Sequence, residues 1–404
     1  MFIKRALESV ILETSRTFPV VLVTGPRQVG KTTLLKMLAD NNRNYVSLDD
    51  PVARQLAVEE PALFLQRYTP PIFVDEIQYA PELLPYIKMH VDKHKINGSF
   101  WLTGSQMFHM MKGVSESLAG RVGIIPMQGL STAELKKMPS EAYTTDVERL
   151  KHRLGTSAQM SLEEVYERIF KGSMPALYNM EQSIERYYAS YVDTYIHRDI
   201  RDLIQVADEM QFHRFLTACA ARTSQMVNYS DISKDVGISS PTAKKWLSIL
   251  VSSGLIVLIQ PFYNNSLKRI VKAPNMYFMD TGLCAYLTRW TTSESLEVSA
   301  MSGAFFETFV VSEIVKSYLN AGKRPPIYYY RDSDQKEIDL IIESNGVLHP
   351  IEIKKSGNPK REAGRHFEVL KKTGKEQGTG NVICMIHDLM PVKPGVWAVP
   401  AWLI

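Results

Sequence analysis

The sequence predicts an α/β protein: a parallel sheet with helices on both faces, then a helix–turn–helix–strand module, then a second α/β domain at the carboxyl end. Three observations predict it. Between residues 18 and 135, short apolar runs alternate with stretches of helical spacing, the pattern of a parallel sheet. Gly25, Pro26, Arg27, Gln28, Val29, Gly30, Lys31 and Thr32 spell G-x-x-x-x-G-K-T between an apolar strand and a helix. Residues 336–354 read as a β-hairpin with charged side chains on one face.

In chain order, residues 1–17 form a leading helix, and strands fall near 19–24, 44–48, 71–75, 99–103 and 122–127. Val20 to Val23 is the buried strand that enters the glycine loop, and Thr33 to Leu38 continues the helix that leaves it. In such a loop the two glycines let the backbone curl so that successive N–H groups face a triphosphate. Lys31 supplies a point charge for the β- and γ-phosphates, the Thr32 hydroxyl ligates Mg²⁺, and Thr33 lies in the first helical turn. ATP and Mg²⁺ are the ligands this chemistry implies.

The run Pro71 to Val74 ends in Asp75 and Glu76, the form of a Walker B strand. Asp75 is expected to hold Mg²⁺ through its waters and Glu76 to polarise the attacking water. The next strand, Ser99 to Thr103, leads into Gly104, Ser105 and Gln106, which places Ser105 or Gln106 to sense the γ-phosphate. An ordinary strand-ending turn is the competing reading of those two residues.

Composition sets outer limits. A chain of 404 residues exceeds one hydrophobic core, so two or three domains are expected. Apolar content of 45% and charged content of 22% are ordinary for a globular protein. Apolar runs stay too short for a membrane span. The start, with Lys4 and Arg5, reads as an amphipathic helix rather than a signal peptide. Cys219, Cys284 and Cys384 are widely spaced, as reduced buried thiols in a cytoplasm would be. A formal net charge of +4 permits nucleic-acid binding through a local patch without arguing for it.

Beyond the first domain, residues 136–160 weaken in pattern and read as a linker or insertion. Residues 161–225 are helical, and Tyr187, Tyr188, Tyr191 and Tyr195 make one aromatic stripe that suits core packing better than base stacking. Arg198 and Asp202 stand at i,i+4 spacing on a solvated face. From Tyr229, a helix, a turn at Gly237, a helix capped near Ser240 and Pro241, and a strand from Leu255 to Ile259 give a winged-helix pattern. If it reads DNA, Lys244 and Lys245 face the major groove, and Lys268, Arg269 and Lys272 lie on the wing. Winged helices also serve as packing modules.

In the last hundred residues, Asp339 lies on one strand of the hairpin, with Glu352 and Lys354 on the same face of the other. Glu307 lies on the preceding helix. Carboxylates from a helix and two strands, with a lysine beside them, suit a metal-dependent phosphodiesterase using Mg²⁺ or Mn²⁺. A surface hairpin with alternating polarity is the bland alternative.

The chain resembles the AAA-type ATPases of archaea and bacteria that are fused to a carboxyl-terminal domain with a PD-(D/E)xK nuclease-like core. The resemblance rests on Thr24–Thr33, Tyr45–Pro51, Val74–Gln78, Leu102–Ser105, Ser117–Arg121, Gly172–Pro175, Tyr195–Ile200 and the set Glu307, Asp339, Glu352 and Lys354. It implies an AAA-like core over 1–135, a helical linker over 136–225, a winged helix over 226–290 and a restriction-endonuclease-like domain over 300–404. It also implies that Arg121 acts as an arginine finger toward a neighbouring subunit of a homo-oligomer, a structural ion pair being the alternative. Ser173 stands where that family often has a second glycine.

Two functions compete. In one, ATP turnover drives DNA binding or processing through the nuclease-like end. In the other, the chain is an ATP-dependent switch that binds a protein partner, with a vestigial nuclease-like domain. A signalling ATPase is a third reading, but the long repeat domain it requires is missing from the sequence.

Overall fold

The computed structural model describes residues 3–104, 113–114, 116–179, 182–196, 209–263, 273–332, 334–359 and 362–404. Five parallel strands, β1 (Val20–Thr24), β2 (Asn44–Ser47), β3 (Ile72–Asp75), β4 (Phe100–Gly104) and β5 (Val122–Pro126), lie in the order β2-β3-β4-β1-β5. Around them run α1 (Glu8–Thr17), α2 (Lys31–Leu38), α3 (Pro51–Glu59), α4 (Pro61–Arg67) and α5 (Leu83–His94).

The period of two along β1 explains why both faces need cover. Val21 and Val23 pack with Leu7, Ile11, Leu34 and Leu35 on one side. Val20 and Leu22 pack with Leu84 and Ile87 on the other. Each such fully buried aliphatic side chain contributes roughly 1.5–3 kcal/mol.

The sheet order inserts β4 between the strand that enters the glycine loop and the strand that carries Asp75. All these strands run parallel, so their carboxyl ends share one edge, the expected place for a ligand in such sheets. Arg121 precedes β5, and its carbonyl accepts from Val20 N at the opposite end of the strands.

The stretch 136–160 is not a free tether. Tyr143 is fully buried there, with its N–H donating to Ser317 Oγ at 2.9 Å and its hydroxyl accepting from Asn381 Nδ2 at 2.8 Å. Asp146 then caps the helix Val147–Thr156. The polar groups of this stretch are spent on caps and on distant partners.

Further on, the helix Tyr229–Val236 ends at Gly237 in a left-handed turn, and Ser239 caps the helix Ser240–Ser252. Strands β6 (Gln225–Met226), β7 (Ile256–Ile259) and β8 (Asn275–Phe278) form an antiparallel sheet in the order β6-β8-β7. Lys268, Arg269 and Lys272, with Arg198, Asp199 and Asp202, lie outside the described residues.

The carboxyl-terminal unit is a six-stranded mixed sheet of β9 (Ile327–Arg331), β10 (Glu337–Ser344), β11 (Val347–Lys354), β12 (Gly380–Cys384), β13 (Met390–Lys393) and β14 (Val396–Pro400). Its order is β13-β14-β12-β11-β10-β9. The helix Ser302–Asn320 packs between this sheet and the rest of the molecule and is buried nearly all round, its enclosed polar groups, Glu313 and Lys316 among them, being paired. Among the described residues, no helix is long and apolar enough to cross a membrane.

Candidate functional site

The glycine loop lies between β1 and α2, as its sequence requires. Gly30 has φ 94° and Gly25 φ 140°, and a Cβ at Gly25 would meet the Met127 carbonyl oxygen at 2.0 Å. Only glycine fits that approach. The Lys31 ammonium donates to the carbonyls of Gly25 (2.9 Å) and Pro26 (2.8 Å), so the lysine curls over its own loop. Arg27, Gln28, Gly30, Lys31, Thr32 and Thr33 face a cavity of about 1000 Å³. Val29 does not. Its side chain is buried, and its carbonyl accepts from Arg5 Nη1 at 2.7 Å.

Asp75 ends β3, five per cent exposed. The Thr32 hydroxyl lies 2.9 and 3.1 Å from its two carboxylate oxygens, and Tyr45 OH donates to Oδ2 at 3.2 Å. Thr103, at the end of β4, donates its hydroxyl to Asp75 Oδ1 and accepts the Glu76 N–H at 3.1 Å. The Thr32 hydroxyl and Asp75 carboxylate are a hard-oxygen donor pair at one point, which fits Mg²⁺. Glu76 follows in a left-handed conformation, φ 60°, which turns its carboxylate toward the cavity, where Gln78 Nε2 donates to it.

The other expected residues divide. Ser105 and Gln106 lie outside the described residues. Arg121 is not in the chain's own site. It makes a two-pronged ion pair with Asp92 of α5, with Nη2 3.0 Å from Oδ2, at the end of the sheet away from the glycine loop. The ion-pair alternative describes Arg121 within this chain. Sequence reasoning missed Thr103, Tyr45 and Arg5. A signal for Thr103 existed, since parallel pairing of Val74 with Leu102 brings Asp75 beside the next residue of β4.

Residues 128–134, just past β5, join the five-stranded unit to the rest. Arg5, four per cent exposed, donates to Gln128 O (2.7 Å) and pairs with Glu134 (2.9 Å). Thr132 N donates to Glu313 Oε2 at 2.7 Å, and Leu130 O accepts from Arg168 Nη2 at 2.6 Å. Arg168 and Lys316 flank the buried Glu313, and although burial opposes its charge, Lys316 and Arg168 hold its carboxyl below the usual range. Glu313 lies on the helix that carries Glu307.

At the carboxyl-terminal sheet, Leu340 pairs with Ile351, so Asp339 and Glu352 adjoin across the hairpin. Glu307, Asp339, Glu352 and Lys354 do meet. Burial and then the Asp339 charge push the Glu307 carboxyl up to about 8, and burial pushes Asp339 up to about 6. Each carboxylate nevertheless has a donor of its own. Tyr277 OH donates to Glu307 (2.8 Å), and Ile353 N donates to Asp339 (2.6 Å). Lys354 pairs with Glu352 at 3.1 Å, and Gly364 N also donates to Glu352. Among the described residues, no three acidic, histidine or cysteine side chains gather so as to hold a metal ion.

The three cysteines are buried as free thiols, and burial raises Cys219 and Cys384 to about 12. Tyr187, Tyr188 and Tyr191 are buried as the stripe predicted, but Tyr187 and Tyr191 also line the nucleotide cavity.

Comparison with known proteins finds three family models and several similar chains. Residues 17–136 match the family model described as AAA domain, and residues 162–294 and 302–404 match two domains of unknown function, DUF8612 and DUF4143. Uncharacterised proteins of Mycobacterium tuberculosis and Mycobacterium bovis are each 28% identical over 346 residues, 84% of this chain and 71% of theirs. A Walker-type ATPase of Pyrococcus abyssi is 16% identical and similar at a TM-score of 0.44, over 71% of this chain and 96% of its own. A signal transduction ATPase with a tetratricopeptide repeat sensor, from Pyrococcus horikoshii, is 15% identical at a TM-score of 0.28, over 79% of this chain and 47% of its own. Residues 17–136 are thus similar to AAA domains and residues 302–404 to the DUF4143 domain.

Proposed function

We propose that the chain binds and hydrolyses Mg²⁺-ATP at the glycine loop and uses the nucleotide state to control its carboxyl-terminal domain. The observation that carries the first part is the Thr32 hydroxyl set on the Asp75 carboxylate, with Glu76 next in the chain and facing the same cavity. Loop amides and Lys31 bind the phosphates. Thr32 and Asp75 would hold Mg²⁺, which neutralises charge developing on the transferred phosphoryl group. Glu76 orients the attacking water and accepts its proton, and Thr103 fixes both carboxylate-bearing residues by a single hydroxyl.

Support for the second part is the run of contacts from Val29 through Arg5 to Glu134, and from Thr132 to Glu313 on the helix that bears Glu307. Rearrangement of the loop on nucleotide binding is passed to that helix. On this reading the target is DNA, engaged by the winged-helix-like module and the cluster of Asp339, Glu352 and Lys354. The separate donors to each carboxylate favour a second reading, a switch that binds a protein partner through a hydrolytically idle domain.

A panel of single-stranded, duplex and branched DNA separates the two. Incubated with Mg²⁺ or Mn²⁺, with and without ATP, the parent should cleave and Asp339→Ala should not, while both hydrolyse ATP. Neither cleavage nor salt-sensitive binding on any substrate would leave the switch.

A further inference from the structure

We infer that Tyr187 is a positioning residue of the nucleotide site, its hydroxyl holding the glycine loop in shape through Gln28. The inference rests on the reading of that loop as an ATP site. Gln28 is a non-glycine residue with φ 61°, a left-handed conformation that a Cβ resists and that the surroundings must hold in place. Its side-chain oxygen accepts the Tyr187 hydroxyl at 2.6 Å, from a helix, Ile184–Tyr191, outside the five-stranded ATPase unit.

Tyr187 stands on a firm mount. Its ring meets Tyr188 edge-on, with centroids 5.2 Å apart at 78°, and lies nearly parallel to Tyr191 at 6.3 Å. Tyr188 OH lies 2.8 Å from Asp280 Oδ1, and the Asp280 carboxylate also accepts the N–H groups of Ser173 and Leu283 at 2.7 Å each. The loop is thus fixed at three successive residues from three directions. Arg27 Nη2 lies 3.3 Å from Tyr79 OH in the turn after Glu76, Gln28 is held by Tyr187, and the Val29 carbonyl is held by Arg5. Loop N–H groups held in this way meet a phosphate without reorganising, which is the general gain from preorganisation.

A tyrosine that only fills the core predicts something different, because Tyr187→Phe keeps every ring contact and removes the hydroxyl alone. The test measures binding of Mg²⁺-ATP by calorimetry, and steady-state hydrolysis, for the parent, Tyr187→Phe, Gln28→Asn, the double variant and Lys31→Ala. Asparagine tolerates the left-handed conformation of position 28 and shortens the acceptor. With thermal unfolding unchanged, Tyr187→Phe should weaken ATP binding roughly three- to tenfold, the worth of one hydrogen bond, and raise KM more than it lowers kcat. Gln28→Asn should match it, and the double variant should lose no more than either single one. Parental affinity in Tyr187→Phe, or losses that multiply in the double variant, would overturn the inference. Parental binding by Lys31→Ala would instead remove the ATP site itself, and this inference with it.

Discussion

The Thr32 hydroxyl lies 2.9 and 3.1 Å from the two carboxylate oxygens of Asp75, joining the first turn of α2, which follows β1, to the end of β3, two strands separated by a third. The intervening strand, β4, contributes Thr103, which donates to the same carboxylate. Asp75 is therefore oriented from both sides before any ligand arrives.

Removing one of those supports should be felt through Mg²⁺. Thr103→Val keeps the shape and deletes the hydroxyl. Its loss should raise the Mg²⁺ concentration for half-maximal ATP hydrolysis about tenfold, the low end for partners of metal-orienting groups. A Mg²⁺ titration of the steady-state rate measures it, and an unchanged midpoint would show that Thr103 does not orient Asp75.

Arg5 predicts a stability effect. It pairs with Glu134 and holds two carbonyls while almost fully buried. Arg5→Ala leaves Glu134 charged and buried without its partner, which costs about 3–5 kcal/mol. Urea unfolding should show that loss, and a loss under about 1 kcal/mol would mean the pair contributes little.

The Glu307 carboxyl predicts a pH dependence. Its folded value stands raised, at about 8 against an ordinary 4.5. A raised carboxyl favours the folded state fully below its unfolded value, and that contribution is lost as pH climbs through the folded one. Stability should therefore fall between about pH 4.5 and about pH 8 more steeply in the parent than in Glu307→Gln. Urea midpoints across that window test it, and parallel curves for the two proteins would contradict it.

What was legible in the sequence was local. The glycine loop, the Asp75–Glu76 strand end and the β10–β11 hairpin depend on residues adjacent in the chain or two apart, so their spacing betrays them. Arg5 with Glu134 and Tyr187 with Gln28 pair across 129 and 159 positions, and no period marks such partners. Residues 136–160 read as a linker or insertion because Tyr143 and Thr145 are buried by partners far away in the chain. The motif left Arg121 between a finger toward a neighbouring subunit and an ion pair, and its partner within the chain, Asp92 on α5, could be seen only in the fold. The carboxylate set was found by its spacing. Its separate donors, among them Tyr277 and Gly364, could be seen only in the folded chain.

In the proposed mechanism Glu76 activates water for ATP hydrolysis at the glycine loop. The most direct test measures ATP binding and turnover side by side for the parent and Glu76→Gln. The account predicts parental ATP affinity in the variant, with turnover lowered about 10²- to 10⁴-fold by loss of the general base. Hydrolysis by Glu76→Gln at the parental rate would contradict it.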